Sequence, residues 1–150
     1  EDKSHGRVRV AFHGTKECHI DSILKTSLLR FGHPLNPCKT QADDGYFGSN
    51  KCGVYVSRYF DYTLKYSNDL APLDEGQCAK VIMFKAVPGR SFRIEKLTND
   101  TMGMKPTTGY HSHSSPSYLE WFLFDERQLC PEYVVELQAK IDTRTAADDE

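Results

Sequence analysis

The chain predicts an α+β domain of several short strands with two small helices near its N-terminal half. Three observations carry this. Apolar runs of strand length are spread from residue 7 to residue 139. Helical spacing is confined to 17–27 and 59–67. There is no internal repeat and no regular βα alternation. A length of 150 residues fits one domain, 1–150, with an ordered core over about 7–140. A domain of this size buries roughly 68–70% of its unfolded surface, enough for a real core.

Residues 7–13 read as a strand that runs into Gly14. Ile20, Ile23 and Leu24 predict a helix over 17–27, with Phe31-Gly32 as its stop. Residues 31–50 hold three glycines, two prolines and the polar cluster Gln41-Ala42-Asp43-Asp44, which predicts a long loop of functional or disordered character. A second strand is expected at 52–57, and a helix at 59–67 with Tyr59, Tyr62, Thr63 and Tyr66 near one face. Residues 68–77 form a polar turn. The clearest buried strand is 78–87, ended by Pro88-Gly89. A short strand at 91–94 follows, then a Gly-, Ser-, Thr-, Pro- and His-rich loop at 99–117. Strands at 119–124 and 133–139 close the fold, and the acidic tail from Asp142 is expected to fray.

Composition excludes several classes. At 39% hydrophobic and 27% charged, the chain is ordinary globular protein. A net charge of -2 shows no basic excess for nucleic acid. No apolar run reaches membrane-span length, and no signal peptide is present. The first residue is Glu1 rather than Met, which reads as a piece of a longer protein. Cysteines at 18, 38, 52, 78 and 130 are odd in number and lack a CxxC pair. That pattern favours reduced thiols in the cytosol or nucleus. Asn99-Asp100-Thr101 matches a glycosylation sequon, a triplet that arises often by chance.

Three ionisable residues sit at the edges of apolar strands: His13, Tyr55 and Glu120. Such groups are costly there without partners, so a shared pocket is expected. Their surroundings are His13-Gly14-Thr15, Phe47-Gly48…Gly53-Val54-Tyr55, and Leu119-Glu120-Trp121-Phe122-Leu123-Phe124-Asp125. Thr63 lies eight positions after Tyr55, and Tyr66 three further on. This order and these intervals resemble the catalytic domain of diphtheria-toxin-like ADP-ribosyltransferases, the group that includes the poly(ADP-ribose) polymerases. The resemblance spans about residues 8–139, and Pro131-Glu132-Tyr133-Val134-Val135-Glu136-Leu137 is similar to the family's closing strand.

The resemblance implies a split antiparallel β-sheet around an NAD cleft. It implies transfer of ADP-ribose from NAD, with Glu120, His13 and Tyr55 as the catalytic set. Glu120 would hydrogen-bond the nicotinamide-ribose hydroxyl beside a cation like that of glycoside hydrolysis. His13 and Thr15 would meet the adenosine ribose. Gly14 and Thr63 would hold the carboxamide, glycine also allowing close ligand approach. Tyr55 and Tyr66 would stack on the nicotinamide. Loop 32–47 would cover the donor, and loop 99–117 would face the acceptor, with Tyr110, His111 and His113 its most functional-looking members. Tyr62 stands where some members carry Lys, so that Lys role is absent.

NAD is the implied co-substrate, without a metal, since the His111-x-His113 pair lacks a second ligand pair. The chain is expected to act as an intracellular monomer without a membrane partner. Its acceptor stays open between protein, nucleic acid and small molecules. The chain's small size and unmatched acceptor loop favour mono-transfer. An inactive NAD or ADP-ribose-binding module and an NAD glycohydrolase are the alternatives. The cholera-toxin-like group fits less well, because Tyr118 replaces the first acid of its Glu-x-Glu. So do the RNA 2′-phosphotransferases, which carry basic residues where Tyr55 and Glu120 stand.

Overall fold

Seven strands, six of which carry β-branched or aromatic residues, form one sheet. The computed structural model describes residues 6–38 and 44–140. The middle of the 32–47 loop and the tail from Asp142 lie outside the described residues. In chain order the elements are β1 (Arg9–Gly14), α1 (Glu17–Thr26), β2 (Val54–Ser57), α2 (Phe60–Ser67), β3 (Cys78–Ala86), β4 (Ser91–Arg93), β5 (Ser112–Ser114), β6 (Glu120–Leu123) and β7 (Leu129–Gln138). The sheet order is β4-β5-β6-β2-β1-β3-β7. All neighbouring strands are antiparallel except the parallel β4–β5 pair, so the sheet is mixed.

The sheet is split in its middle. β1 pairs with β3 at six positions, yet meets β2 at one, Phe12 opposite Ser57. Beyond that point the two strands part, and the gap between them becomes the cleft.

Both faces of the sheet are covered, which explains the unbroken apolar run of β6. Trp121 and Leu123 join Val54, Val56, Phe84 and the α1 residues Ile20 and Ile23 on one face. Phe122 points the other way, into a cluster with Phe47 and Ile94 that Tyr55 packs against. Register places Tyr55 opposite Phe122 and Ser57 opposite Glu120, so these four share the second face.

Three expectations need correction. The 99–117 segment is not all loop: Ser112–Ser114 form β5, with all three side chains buried. Serines in place of apolar residues hid this strand from periodicity. Helix α1 ends at Thr26, not at Phe31-Gly32, because Ser27 turns to φ 66°. The last strand starts at Leu129 and passes through Pro131. An edge strand tolerates this proline, and the register shifts there, where Met83 faces Tyr133 and Phe84 faces Pro131.

Candidate functional site

A cavity of about 630 Å³ opens where β1 and β2 part. Its lining includes His13, Gly14, Tyr55, Thr63, Tyr66 and Glu120. Residues from β1, β2, α2 and β6 are thereby brought together from positions as far apart as 13 and 120. Thr15, the remaining expected contact, is not among the lining residues.

His13 bridges the split. Its Nδ1 lies 3.1 Å from the Tyr55 carbonyl, 42 residues away. A carbonyl only accepts, so Nδ1 carries the proton and donates. Burial holds the imidazole below its ordinary pKa; the Tyr55 bond opposes this in part, and His19 adds slightly to it. The ring is therefore neutral near pH 7, and its Nε2 is an acceptor suited to a hydroxyl. A second cavity of about 210 Å³, walled by Leu28, Leu29, Arg30 and Phe31, also touches His13. His13 thus stands at the junction of two cavities.

Tyr55 holds down a loop. Its hydroxyl accepts from the Phe47 N–H and donates to the Gly48 carbonyl, each at 3.1 Å. Gly45 bridges to Gly48, closing a tight turn over the phenol. A β-carbon at Gly45 would lie 2.2 Å from the Tyr55 hydroxyl, so only glycine permits this approach. The ring meets Phe47 edge-on at 5.0 Å and Phe122 at 4.9 Å. Burial pushes the phenol pKa above its ordinary value, so it stays a donor.

Gly14 is demanded first by helix packing. A β-carbon there would lie 1.9 Å from the Thr63 carbonyl oxygen of α2. Phe12 meets Phe60 edge-on at 5.7 Å beside this contact, which seats α2 on β1. Thr63 is 3% exposed, and its hydroxyl donates to the Phe60 carbonyl at 2.7 Å. Its lone pairs remain for a ligand donor.

Glu120 opens β6 with its N–H on Ser115 Oγ at 3.1 Å. Burial raises its pKa, while the Tyr62 hydroxyl bond and the Lys65 charge pull it down. Lys65 Nζ sits 4.0 Å over the Tyr62 ring and 5.1 Å over Tyr66. The sequence reading passed over Lys65 and noted Tyr62 as standing where some family members carry Lys. Their common helix face with Tyr66 was the available signal. A cationic role on α2 was expected to be absent, yet the structure supplies an ammonium three residues later.

Both histidines of the 99–117 segment bond to the protein's own backbone. His113 is fully buried; its Nδ1 donates to the Phe47 carbonyl at 2.9 Å, and its Nε2 accepts from the Thr107 N–H at 3.2 Å. His111 Nδ1 accepts from the Arg90 N–H at 2.9 Å, and Tyr110 packs on Phe92 at 5.1 Å. Among the described residues no group of three or more His, Cys, Asp or Glu is placed to hold a metal.

No protein-family model matches this chain. No curated protein matches it either. Solved structures do. The chain is similar to the crystal structure of the TASOR pseudo-PARP domain at 21% identity, with a TM-score of 0.68, over 90% of this chain and 68% of that one. The fold is therefore PARP-like, an α+β split sheet with two helices.

Proposed function

We propose that the chain is a diphtheria-toxin-like mono-ADP-ribosyltransferase that breaks the nicotinamide–ribose bond of NAD and passes ADP-ribose to an acceptor. One observation carries the reading: His13, Gly14, Tyr55, Thr63, Tyr66 and Glu120 line a single cavity at the split of the sheet. The bonding pair of the C–N bond leaves on nicotinamide. The ribose carbon gains cationic character, and the acceptor's lone pair then attacks it. Glu120 supplies the anion for that cation inside a largely apolar wall, where the interaction is strengthened. Neutral His13 accepts from a ribose hydroxyl. Tyr55 and Tyr66 offer ring surface to nicotinamide, and Gly14 and Thr63 offer polar atoms to its carboxamide. Thr15, outside the lining, has at most an edge contact with adenosine.

The second reading is an NAD- or ADP-ribose-binding module without turnover. The similar solved domain is described as a pseudo-PARP. Charge also favours this reading. Among the described residues Lys65 is the one cation on the cavity wall, and its charge acts on Glu120. Arg30 of the smaller cavity is paired with Glu126 at 3.2 Å. The pyrophosphate thus meets no basic cluster among the described residues.

Incubation with labelled NAD and separate protein, DNA and RNA pools tests both, with calorimetry beside it. Transfer of label that Glu120→Gln abolishes supports the enzyme. NAD binding without nicotinamide release supports the module. Free ADP-ribose alone points to a glycohydrolase. Absence of binding and of nicotinamide release overturns all three. We place the protein in the cytosol or nucleus, on the ground that Cys18, Cys52, Cys78 and Cys130 are free thiols, and propose that it is a monomer. Among the described residues no helix is long and apolar enough to cross a membrane.

A further inference from the structure

We infer that Arg58, Tyr59, Arg93 and Tyr118 form a binding surface for single-stranded nucleic acid beside the Glu120 end of the cavity, with the arginines on phosphates and the tyrosines on bases. The inference goes beyond the proposed reaction, because it names a macromolecular partner and needs no turnover of NAD.

Two turns tied to each other build this surface. The Ser57 hydroxyl donates to the Leu119 carbonyl at 2.8 Å, and the Arg58 N–H donates to the same oxygen at 3.0 Å. The Tyr59 N–H donates to Ser57 Oγ at 3.1 Å. From β4, Arg93 Nη2 donates to the Pro116 carbonyl at 3.0 Å. Residues 57–59, Arg93 and residues 116–119 are therefore neighbours, although they come from separate stretches of chain. The Tyr118 backbone is held at φ 58°, a left-handed conformation that is costly for a bulky residue. Its side of the turn nevertheless stays open: Tyr118 is 44% exposed, and Tyr59 is 48% exposed. Glu120 and its register partner Ser57 both line the cavity, so a strand lying on these turns passes its Glu120 end.

Both guanidiniums are held in place without a counter-charge. The Arg93 guanidinium lies 4.5 Å from the centroid of the Tyr118 ring, and that of Arg58 lies 5.1 Å from that of Trp121. Both arginines are exposed, and neither forms an ion pair with a described residue. A guanidinium held against an aromatic ring loses little freedom on binding, and its N–H fork suits phosphate oxygens. Exposed tyrosine rings take unpaired bases by stacking, whatever the base. The combination selects among anionic partners. An acidic or phosphorylated peptide would use the arginines and leave the tyrosine rings bare. A duplex would keep its bases stacked on each other and out of reach of the rings. A single strand uses both. The chain's net charge of -2 does not oppose this, because a local patch is hidden in the average.

The test is fluorescence anisotropy with a labelled mixed-sequence RNA of about ten nucleotides, and its DNA counterpart, in the absence of NAD. The expected result is binding of the single strands that weakens as salt rises, and weaker binding of the duplex. Arg58→Met and Arg93→Met should each lower the affinity and flatten the slope of log affinity against log salt by about 0.7. Tyr59→Leu and Tyr118→Leu should lower the affinity by about fivefold or more and leave that slope unchanged. Lys25→Met removes an exposed charge from α1, away from this surface, and should change affinity little. The four variants sit on separate turns, so the others decide should one of them fail to fold. Absence of binding overturns the inference, as does a loss in Lys25→Met equal to that in the two arginine variants. Tighter binding of a phosphoserine peptide of equal charge than of the single strands overturns it too. Binding by a protein that releases no nicotinamide keeps this inference and sinks the transfer reaction.

Discussion

His13 and His113 are two neutral histidines in one small sheet, and they differ in what their second nitrogen meets. Each donates Nδ1–H to a backbone carbonyl across a gap: His13 to Tyr55 at 3.1 Å, His113 to Phe47 at 2.9 Å. Burial lowers both pKa values. At His113 the other nitrogen is taken by the Thr107 N–H and hydroxyl, at 3.2 and 2.8 Å. His13 instead has a side chain that lines two cavities. A histidine with both nitrogens bonded to protein holds the fold together. A histidine with one nitrogen bonded and the other on a cavity wall is preorganised for a ligand.

Stability is where the contrast breaks most readily. His113→Ala leaves the Phe47 carbonyl and the Thr107 N–H unpaired and opens a void beside Phe122 and Phe124, whose rings lie 5.8 and 4.7 Å from the imidazole. The expected loss is about 3–5 kcal/mol by urea unfolding. His13→Ala should cost about 1 kcal/mol, the scale of one hydrogen bond, while abolishing NAD binding in calorimetry. Equal losses from the two variants would erase the distinction.

A smaller effect is expected at Tyr55, which joins the two regions through Phe47. Tyr55→Phe keeps the ring but removes the bonds to the Phe47 N–H and the Gly48 carbonyl. About 1–3 kcal/mol should be lost. Faster amide exchange is expected at Phe47 while the β1–β3 ladder stays protected. Uniform exchange across the sheet would show that the hydroxyl does not hold the loop.

The mildest probe is pH. A histidine whose folded pKa lies below its ordinary 6.5 takes up its proton more readily when unfolded. Its contribution is fully present above about pH 6.5 and is lost as pH falls toward the folded-state pKa. His113→Gln should therefore flatten the acid side of the stability curve relative to wild type. Glu120, with a raised pKa, slopes the other way and is common to both proteins, so the difference curve isolates His113. A difference curve without slope between pH 5 and 7 would contradict the lowered pKa.

Much of this molecule was legible from its residues. The apolar run of β3 and the helical face of α2 announced themselves because hydrophobic patterning is local. His13, Tyr55 and Glu120 stood out because ionisable groups at strand edges are costly. The intervals to Thr63 and Tyr66 came from likeness to a known pattern. β5 escaped because its three residues are Ser, His and Ser, polar in letter and buried only through neighbours from β4 and β6. Lys65 escaped because nothing near it in sequence marks Glu120, 55 positions on, as its counter-charge.

The sequence by itself determined the periods of the strands and helices, the charge balance and the identities of the groups available for chemistry. Tertiary structure alone decided which histidine is core and which lines the cavity, that Gly14 is required by α2, and that Lys65 shares a cavity wall with Glu120. The physical reason is one of range. Backbone periodicity is set within a few residues, whereas a side chain's partners are set by contacts such as Phe47–His113, 66 residues apart.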